Sequence, residues 1–168
     1  MDIIEKARIF ATAAHSAVGQ KRKYTNEPYI VHPTEVAHIV RGISGSTIEM
    51  ISAAYLHDVL EDTNVPIGTL REEFGDEITE LVIWLTDVSK PGDGNRATRK
   101  AIDVAHIKHA PPNAKTIKLA DIISNVQSIV EHDPDFATIY IDEKKAQLAV
   151  LTEGHPVLYN LAKALIDY

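Results

Sequence analysis

Cysteine is absent from the 168 residues, so the chain forms no disulfide framework, carries no thiolate nucleophile and offers no sulfur ligand to zinc or an iron–sulfur cluster. Any metal it binds must be held by His, Asp and Glu. Long hydrophobic runs are also missing. No stretch approaches the roughly 18 apolar residues of a membrane-spanning helix, and the opening segment MDIIEKARIF places Asp2, Glu5 and Lys6 where a signal peptide keeps its apolar core. The expectation is a cytoplasmic protein with no membrane partner. Positive charge is in deficit, 17 Lys and Arg against 24 Asp and Glu, for a net charge of −7. A general polyanion binder needs a basic face, so this balance argues against a nucleic-acid partner. It leaves room for a small anionic substrate, because a local cluster such as Lys21-Arg22-Lys23 can hold phosphates inside an acidic protein. Period-two alternation, internal repeats and low-complexity tracts are lacking as well.

What the chain does have is helical periodicity. Ile3, Ala7, Phe10, Ala14 and Val18 recur at steps of three or four and predict a helix stopped at Gly19. Gln20 to Pro33 reads as a loop, and Pro33 suits the first turn of a helix through Val36, Ile39, Val40 and Ile43, ended by Gly42 and Gly45. Ser46-Thr47-Ile48-Glu49 has the form of a capping box before Met50–Leu56, a run apolar nearly all round and therefore buried. Its last turn is His57-Asp58-Val59-Leu60-Glu61-Asp62. Pro66–Phe74 predicts a short helix stopped by Gly75, followed by another through Ile78, Leu81, Val82 and Leu85. After the loop Ser89–Asn95, a helix over Arg96–Lys108 is closed by Pro111-Pro112, and Leu119, Ile122, Ile123, Val126 and Val130 define the next. One more runs through Ile139, Leu148 and Leu151 to Gly154, and Pro156 opens the last. These elements predict an all-α fold, a single domain over residues 1–168 built as a bundle of roughly seven to nine helices.

Four polar groups closing an interior helix are where function concentrates. Residues four apart share a helix face, so His57 pairs with Glu61 and Asp58 with Asp62. A neutral imidazole and a carboxylate side by side suit manganese, iron or zinc better than calcium. His32, just before the Pro33 helix, and Asp121, set among Leu119, Ala120, Ile122 and Ile123, are the candidates to complete a ligand set. Lys118, Asp121 and Asn125 form a polar stripe on an otherwise apolar helix, and buried charges of this kind are paired or bind metal. His15, on the first helix, is a further candidate to face the site.

The order His32, His57-Asp58, Asp121 resembles the HD-domain metal-dependent phosphohydrolases. Local sequences narrow the likeness: Glu27-Pro28-Tyr29-Ile30-Val31-His32-Pro33, Leu56-His57-Asp58-Val59-Leu60-Glu61-Asp62-Thr63, Phe74-Gly75 and Lys118-Leu119-Ala120-Asp121 with Asn125 are similar to the hydrolase domain of RelA/SpoT-type proteins, above all the small stand-alone alarmone hydrolases. The resemblance covers nearly the whole chain. It implies an all-α HD fold with one divalent metal, usually Mn²⁺, and hydrolysis of the 3′-pyrophosphate of guanosine 3′,5′-bis(diphosphate), a small phosphorylated nucleotide. It also implies roles: His32, His57, Asp58 and Asp121 as metal ligands, Glu61 and Asp62 as the catalytic acidic pair, and Arg22, Lys23 and Asn125 as substrate contacts. Tyr140 and Lys144 echo a segment of bacterial relatives and are added as substrate contacts. Gln127 stands where family members commonly carry Arg, and Tyr24 where a small residue is usual. These departures keep other substrates in view, namely NADPH, an adenosine alarmone or a nucleoside monophosphate, as well as a non-catalytic nucleotide-sensing module. The apolar positions of the last helix suit either a core or an interface, so a monomer and a homodimer are both compatible with the sequence.

Overall fold

Asp2 opens the first helix, α1 (Ile3–Ala17), by accepting the Glu5 amide at 2.8 Å, the side-chain cap that satisfies one of the free amides of a helix start. In the computed structural model, which describes residues 1–167, α1 is followed by α2 (Val31–Arg41), α3 (Ile48–Leu56), α4 (Val59–Asp62), α5 (Ile67–Leu85), α6 (Arg96–Lys108), α7 (Pro112–His132), α8 (Pro134–Leu148) and α9 (Pro156–Ile166). A 3₁₀ turn at Pro91–Asp93 interrupts the long loop. The expected all-α architecture is therefore present, with nine α-helices among the described residues. An isolated bridge between Lys21 and Pro28 closes the loop after α1. No helix among the described residues is long and apolar enough to cross a membrane.

The chain divides into two compact units, Met1–Thr86 and the part from Asp87 onward. The first is built around α3, whose residues Met50 to Leu56 are all buried, with α1, α2 and α5 packed against it. The second is built around α7, which carries α8 and α9 on its flanks, while α6 packs on α8. Asp103 of α6 staples the long loop by accepting the Val88 amide at 3.0 Å, the Ser89 amide at 2.9 Å and the Ser89 hydroxyl at 2.7 Å. Within the second unit Gly154 lies so close to α7 that a Cβ there would sit 2.5 Å from Leu119 Cδ1. The buried Lys115 ammonium pairs with Glu153 at 2.6 Å.

Several boundaries differ from the sequence expectation, each for a local reason. Helix α2 begins at Val31, so His32 sits inside its first turn; Pro33 is still within that turn, where its missing N–H costs no intrahelical bond. Thr47, not Ser46, caps α3, accepting the Met50 amide at 3.1 Å, and the expected Ser46/Glu49 box does not form. The helix through Asp62 is broken at His57-Asp58: His57 Nδ1 lies 2.7 Å from Ala54 O, the carbonyl that the Asp58 amide would take in a continuing α-helix. The two helices expected around Gly75 abut as α5, with Gly75 at φ +82° between them, a conformation that glycine adopts without a Cβ penalty. Pro111-Pro112 both closes α6 and opens α7. Leu151 follows the end of α8 yet is fully buried. On α9, Leu158 and Ala162 are core, whereas Val157 and Leu161 are exposed.

Candidate metal centre

The break after α3 places the imidazole of His57 and the carboxylate of Asp58 at the junction of two helices, facing the first turn of α2. There His57 Nε2 lies 3.1 Å and His32 Nε2 3.8 Å from the same oxygen, Asp58 Oδ2. Both imidazoles are buried, and their ring centroids are 5.2 Å apart. The bond from His57 Nδ1 to Ala54 O makes Nδ1 the donor and leaves Nε2 with its lone pair, since a carbonyl only accepts. A buried nitrogen lone pair directed at a carboxylate oxygen is two acceptors in contact. A cation resolves that contact, and backbone anchoring of the second ring nitrogen is how metal-bound histidines are oriented. One donor atom each from His32, His57 and Asp58 lies within 4.8 Å of the others, a nitrogen-rich set that suits a transition-metal dication.

Carboxylates crowd the next turn. Asp58, Glu61 and Asp62 also bring one oxygen each within 4.8 Å of one another. Burial pushes the Asp62 carboxyl up from the ordinary range and the Asp58 charge pushes it further, while the hydrogen bond from Gln20 opposes the rise. That bond runs from Gln20 Nε2 to Asp62 Oδ2 at 3.1 Å, and Gln20 Oε1 in turn sits 2.7 Å from His15 Nδ1. Tyr29 donates its hydroxyl to Asp58 Oδ2 at 2.6 Å, with its ring centroid 4.7 Å from that of His15.

Of the residues singled out in the sequence, the first unit thus gathers His32, His57, Asp58, Glu61 and Asp62. His15 joins them through Gln20. Arg22 and Lys23 lie in the loop after α1, where the Arg22 amide bonds to Glu27 O at 2.8 Å and the Lys23 ammonium sits 5.3 Å from the Tyr24 ring centroid. Spacing gives Tyr29 and Gln20 no role, because both lie in a stretch without periodicity. The signal for Gln20 was Gly19: with φ +68° it turns the chain back so that the Gln20 amide reaches His15 O at 3.1 Å.

In the second unit the polar stripe on α7 is real. Asp121 is buried, accepts the Lys118 ammonium at 2.8 Å on Oδ2 and the Asn125 amide at 2.9 Å on Oδ1. Burial works against the Lys118 charge, but Asp121 and Asp87 outweigh it and raise the ammonium pKa. Tyr140 and Lys144 share a face of α8 as their spacing predicts, with the ammonium 4.9 Å from the ring centroid. Burial first, then the charge of Lys118, brings the Lys144 pKa down to about 7. Gln127, about 200° round α7 from Asn125, lines an apolar groove with Val130, Ala137 and Ile141. A side chain there is turned away from the Lys118–Asp121–Asn125 stripe.

The profile of the HD domain family matches residues 7–147. The chain belongs to this family. Among its relatives is the guanosine-3′,5′-bis(diphosphate) 3′-pyrophosphohydrolase MESH1 of Homo sapiens, 34% identical over 133 residues that make up 77% of this chain and 71% of that protein. The guanosine-3′,5′-bis(diphosphate) 3′-pyrophosphohydrolase of Aquifex aeolicus is 30% identical over 146 residues, 87% of this chain but 19% of that much longer protein. A relative of the same printed activity in Synechocystis is likewise matched over 17% of its length, so this HD chain spans less than a fifth of these long relatives. Among solved structures, one described as a metazoan ortholog of SpoT that hydrolyses ppGpp superimposes with a TM-score of 0.87 at 23% identity, covering 99% of this chain and 95% of that one. That likeness shows the shared fold.

Proposed function

We propose that this HD protein is a metal-dependent pyrophosphohydrolase that removes the 3′-diphosphate from guanosine 3′,5′-bis(diphosphate) or the corresponding pentaphosphate, yielding GDP or GTP and pyrophosphate. The observation that carries the reading is the His32–His57–Asp58 cluster sharing Asp58 with the Glu61/Asp62 carboxylates, in a chain whose MESH1 relatives bear that activity in their names. His32, His57 and Asp58 would hold the ion, and the resemblance assigns Asp121 as a fourth ligand; Mn²⁺ is the ion proposed. A divalent cation there supplies Lewis acidity toward phosphoryl oxygens and lowers the cost of deprotonating water at neutral pH.

The protein's own groups do the rest. Glu61 and Asp62 orient the attacking water and take its proton as the water oxygen bonds to phosphorus. The bond from phosphorus to O3′ breaks, and O3′ leaves with the proton that the carboxylate pair took from the water. Arg22 and Lys23 grip phosphate oxygens, while Asn125, Tyr140 and Lys144 contact the substrate. Asn125 already spends its amide on Asp121, which fixes its side chain. The assay is pyrophosphate release from guanosine 3′,5′-bis(diphosphate) by purified protein with Mn²⁺, beside an EDTA control and a panel of NADPH, an adenosine alarmone and nucleoside monophosphates. Metal-dependent release from the guanosine nucleotide is expected. Turnover of another panel member alone would overturn the guanine assignment and keep the hydrolase; metal binding without turnover would leave a sensing module.

A further inference from the structure

We infer that Gln20 is a positioning residue for the Asp62 carboxylate, and that His15 holds Gln20 in the one amide orientation that lets it do so. The inference deepens the hydrolase reading above and rests on it for the role of Asp62. Its geometry lies wholly within the first unit. Gln20 Nε2 is 3.1 Å from Asp62 Oδ2, Gln20 Oε1 is 2.7 Å from His15 Nδ1, and the His15 ring is buried against Tyr29 with centroids 4.7 Å apart.

The chain of donors and acceptors has one consistent solution. An ionised carboxylate only accepts, so the NH₂ end of the Gln20 amide must face Asp62; turned over, its carbonyl oxygen would meet the carboxylate acceptor to acceptor. The carbonyl end then faces His15, and only a protonated Nδ1 can donate to it. For a neutral ring His15 is thereby the Nδ1–H tautomer, with Nε2 buried and without a hydrogen-bond partner. Leaving a buried ring nitrogen unpartnered is costly, and the compensating feature is the satisfied Gln20 amide on the other side. Backbone geometry reinforces the arrangement: Gly19 turns the chain so that the Gln20 amide also bonds to His15 O at 3.1 Å. The consequence for Asp62 is directional. Gln20 holds Oδ2, which restrains rotation of the carboxylate about χ2 and leaves Oδ1, without a bond to Gln20, as the oxygen we assign to the reaction.

The test uses Gln20→Met, which keeps length and bulk but removes both ends of the amide, in the full chain. Expected is a kcat about 10- to 100-fold lower, with KM and the Mn²⁺ dissociation constant each within about twofold, because the side-chain amide bonds to His15 and Asp62 and to none of the proposed metal ligands or phosphate-gripping residues. Imidazole ¹⁵N–¹H correlation spectra, with the His15 signal assigned by its loss in His15→Gln, should show Nδ1 protonated and Nε2 bare in the native protein and a change in that pattern in Gln20→Met. Unchanged kcat in Gln20→Met, or His15 protonated on Nε2 in the native protein, overturns the inference. Because the spectrum needs no turnover, a native protein inactive on every nucleotide tested would refute the proposed function, and the ring nitrogens would still decide the hydrogen-bond chain.

Discussion

Gly154→Ala is a demanding perturbation because it adds a single methyl group where the second unit has no room for one. The new Cβ would lie 2.5 Å from Leu119 Cδ1, 3.2 Å from Leu151 O and 3.4 Å from the Lys115 carbonyl carbon. Leu119 is fully buried and cannot swing into solvent, and two of the three neighbours are backbone atoms. Overpacking of this kind costs about 1–3 kcal/mol. Replacing glycine where the backbone is compatible returns about 0.4–1 kcal/mol through the unfolded chain, and Gly154 is not among the positive-φ glycines. The net loss lies between about 0 and about 2.6 kcal/mol with a midpoint of about 1.3 kcal/mol, which for a chain of this size lowers Tm by roughly 3–5 °C at the midpoint. Urea titration and calorimetry of Gly154→Ala, Leu119→Ala and the double variant form a cycle. Leu119→Ala alone should cost about 2–5 kcal/mol, and the double variant should be more stable than the sum of the two losses predicts. Strict additivity, or a Gly154→Ala protein more stable than the native one by about 0.4–1 kcal/mol, would show that the approach to Leu119 carries no strain.

The remaining predictions concern the site and its charges. Tyr29→Phe keeps the ring against His15 but removes the 2.6 Å bond to Asp58, so Mn²⁺ affinity measured by calorimetric titration should weaken about 10-fold or more; an unchanged dissociation constant would deny Tyr29 any part in holding Asp58. Glu61→Gln should retain the ion and lose at least about 100-fold in kcat, and a variant at full rate would remove Glu61 from catalysis. Lys144, whose pKa is lowered to about 7, binds a proton more weakly folded than unfolded. That penalty is fully present below pH 7 and is relieved as pH rises from there toward the ordinary lysine value. Lys144→Met should therefore gain stability over the native chain at pH 6.5 and lose most of that advantage at pH 9.5, measured by urea titration at both values.

How far the fold could be read in advance follows from which physics acts locally. Apolar residues at helical spacing, with proline at starts and glycine at stops, mark positions where a few neighbouring residues decide the outcome, and α1, α6 and α9 lie where those signals put them. Capping was less legible, since Ser46 with Glu49 is the better cap in sequence, yet the residue whose hydroxyl reaches the Met50 amide is Thr47. The break at His57-Asp58 was invisible because it comes from a ring nitrogen seeking the Ala54 carbonyl, and periodicity carries no trace of such a bond. The acidic and histidine residues of the site stood out as charges in apolar surroundings. Tyr29 and Gln20 belong to stretches that resemble the RelA/SpoT-type hydrolases, but they are given no role until their partners Asp58, His15 and Asp62 are known. Gln127 is a different case: the resemblance marks it as a departure from Arg, and its place on α7 lining an apolar groove is something only the packing of α8 and α9 shows.

The separation of α4 from α3 has a consequence for how the site breathes. A four-residue helix is far shorter than one that holds itself together in water, so Val59–Asp62 is kept in place by what its side chains touch. Its amides at Asp62 and Thr63, bonded to Asp58 O at 2.9 Å and Val59 O at 3.1 Å, should exchange with deuterium through small local openings, while those of the buried α3 wait for larger ones. Loading the centre with Mn²⁺ would then slow exchange at this single turn far more than elsewhere in the first unit, making two backbone protons a direct gauge of site occupancy.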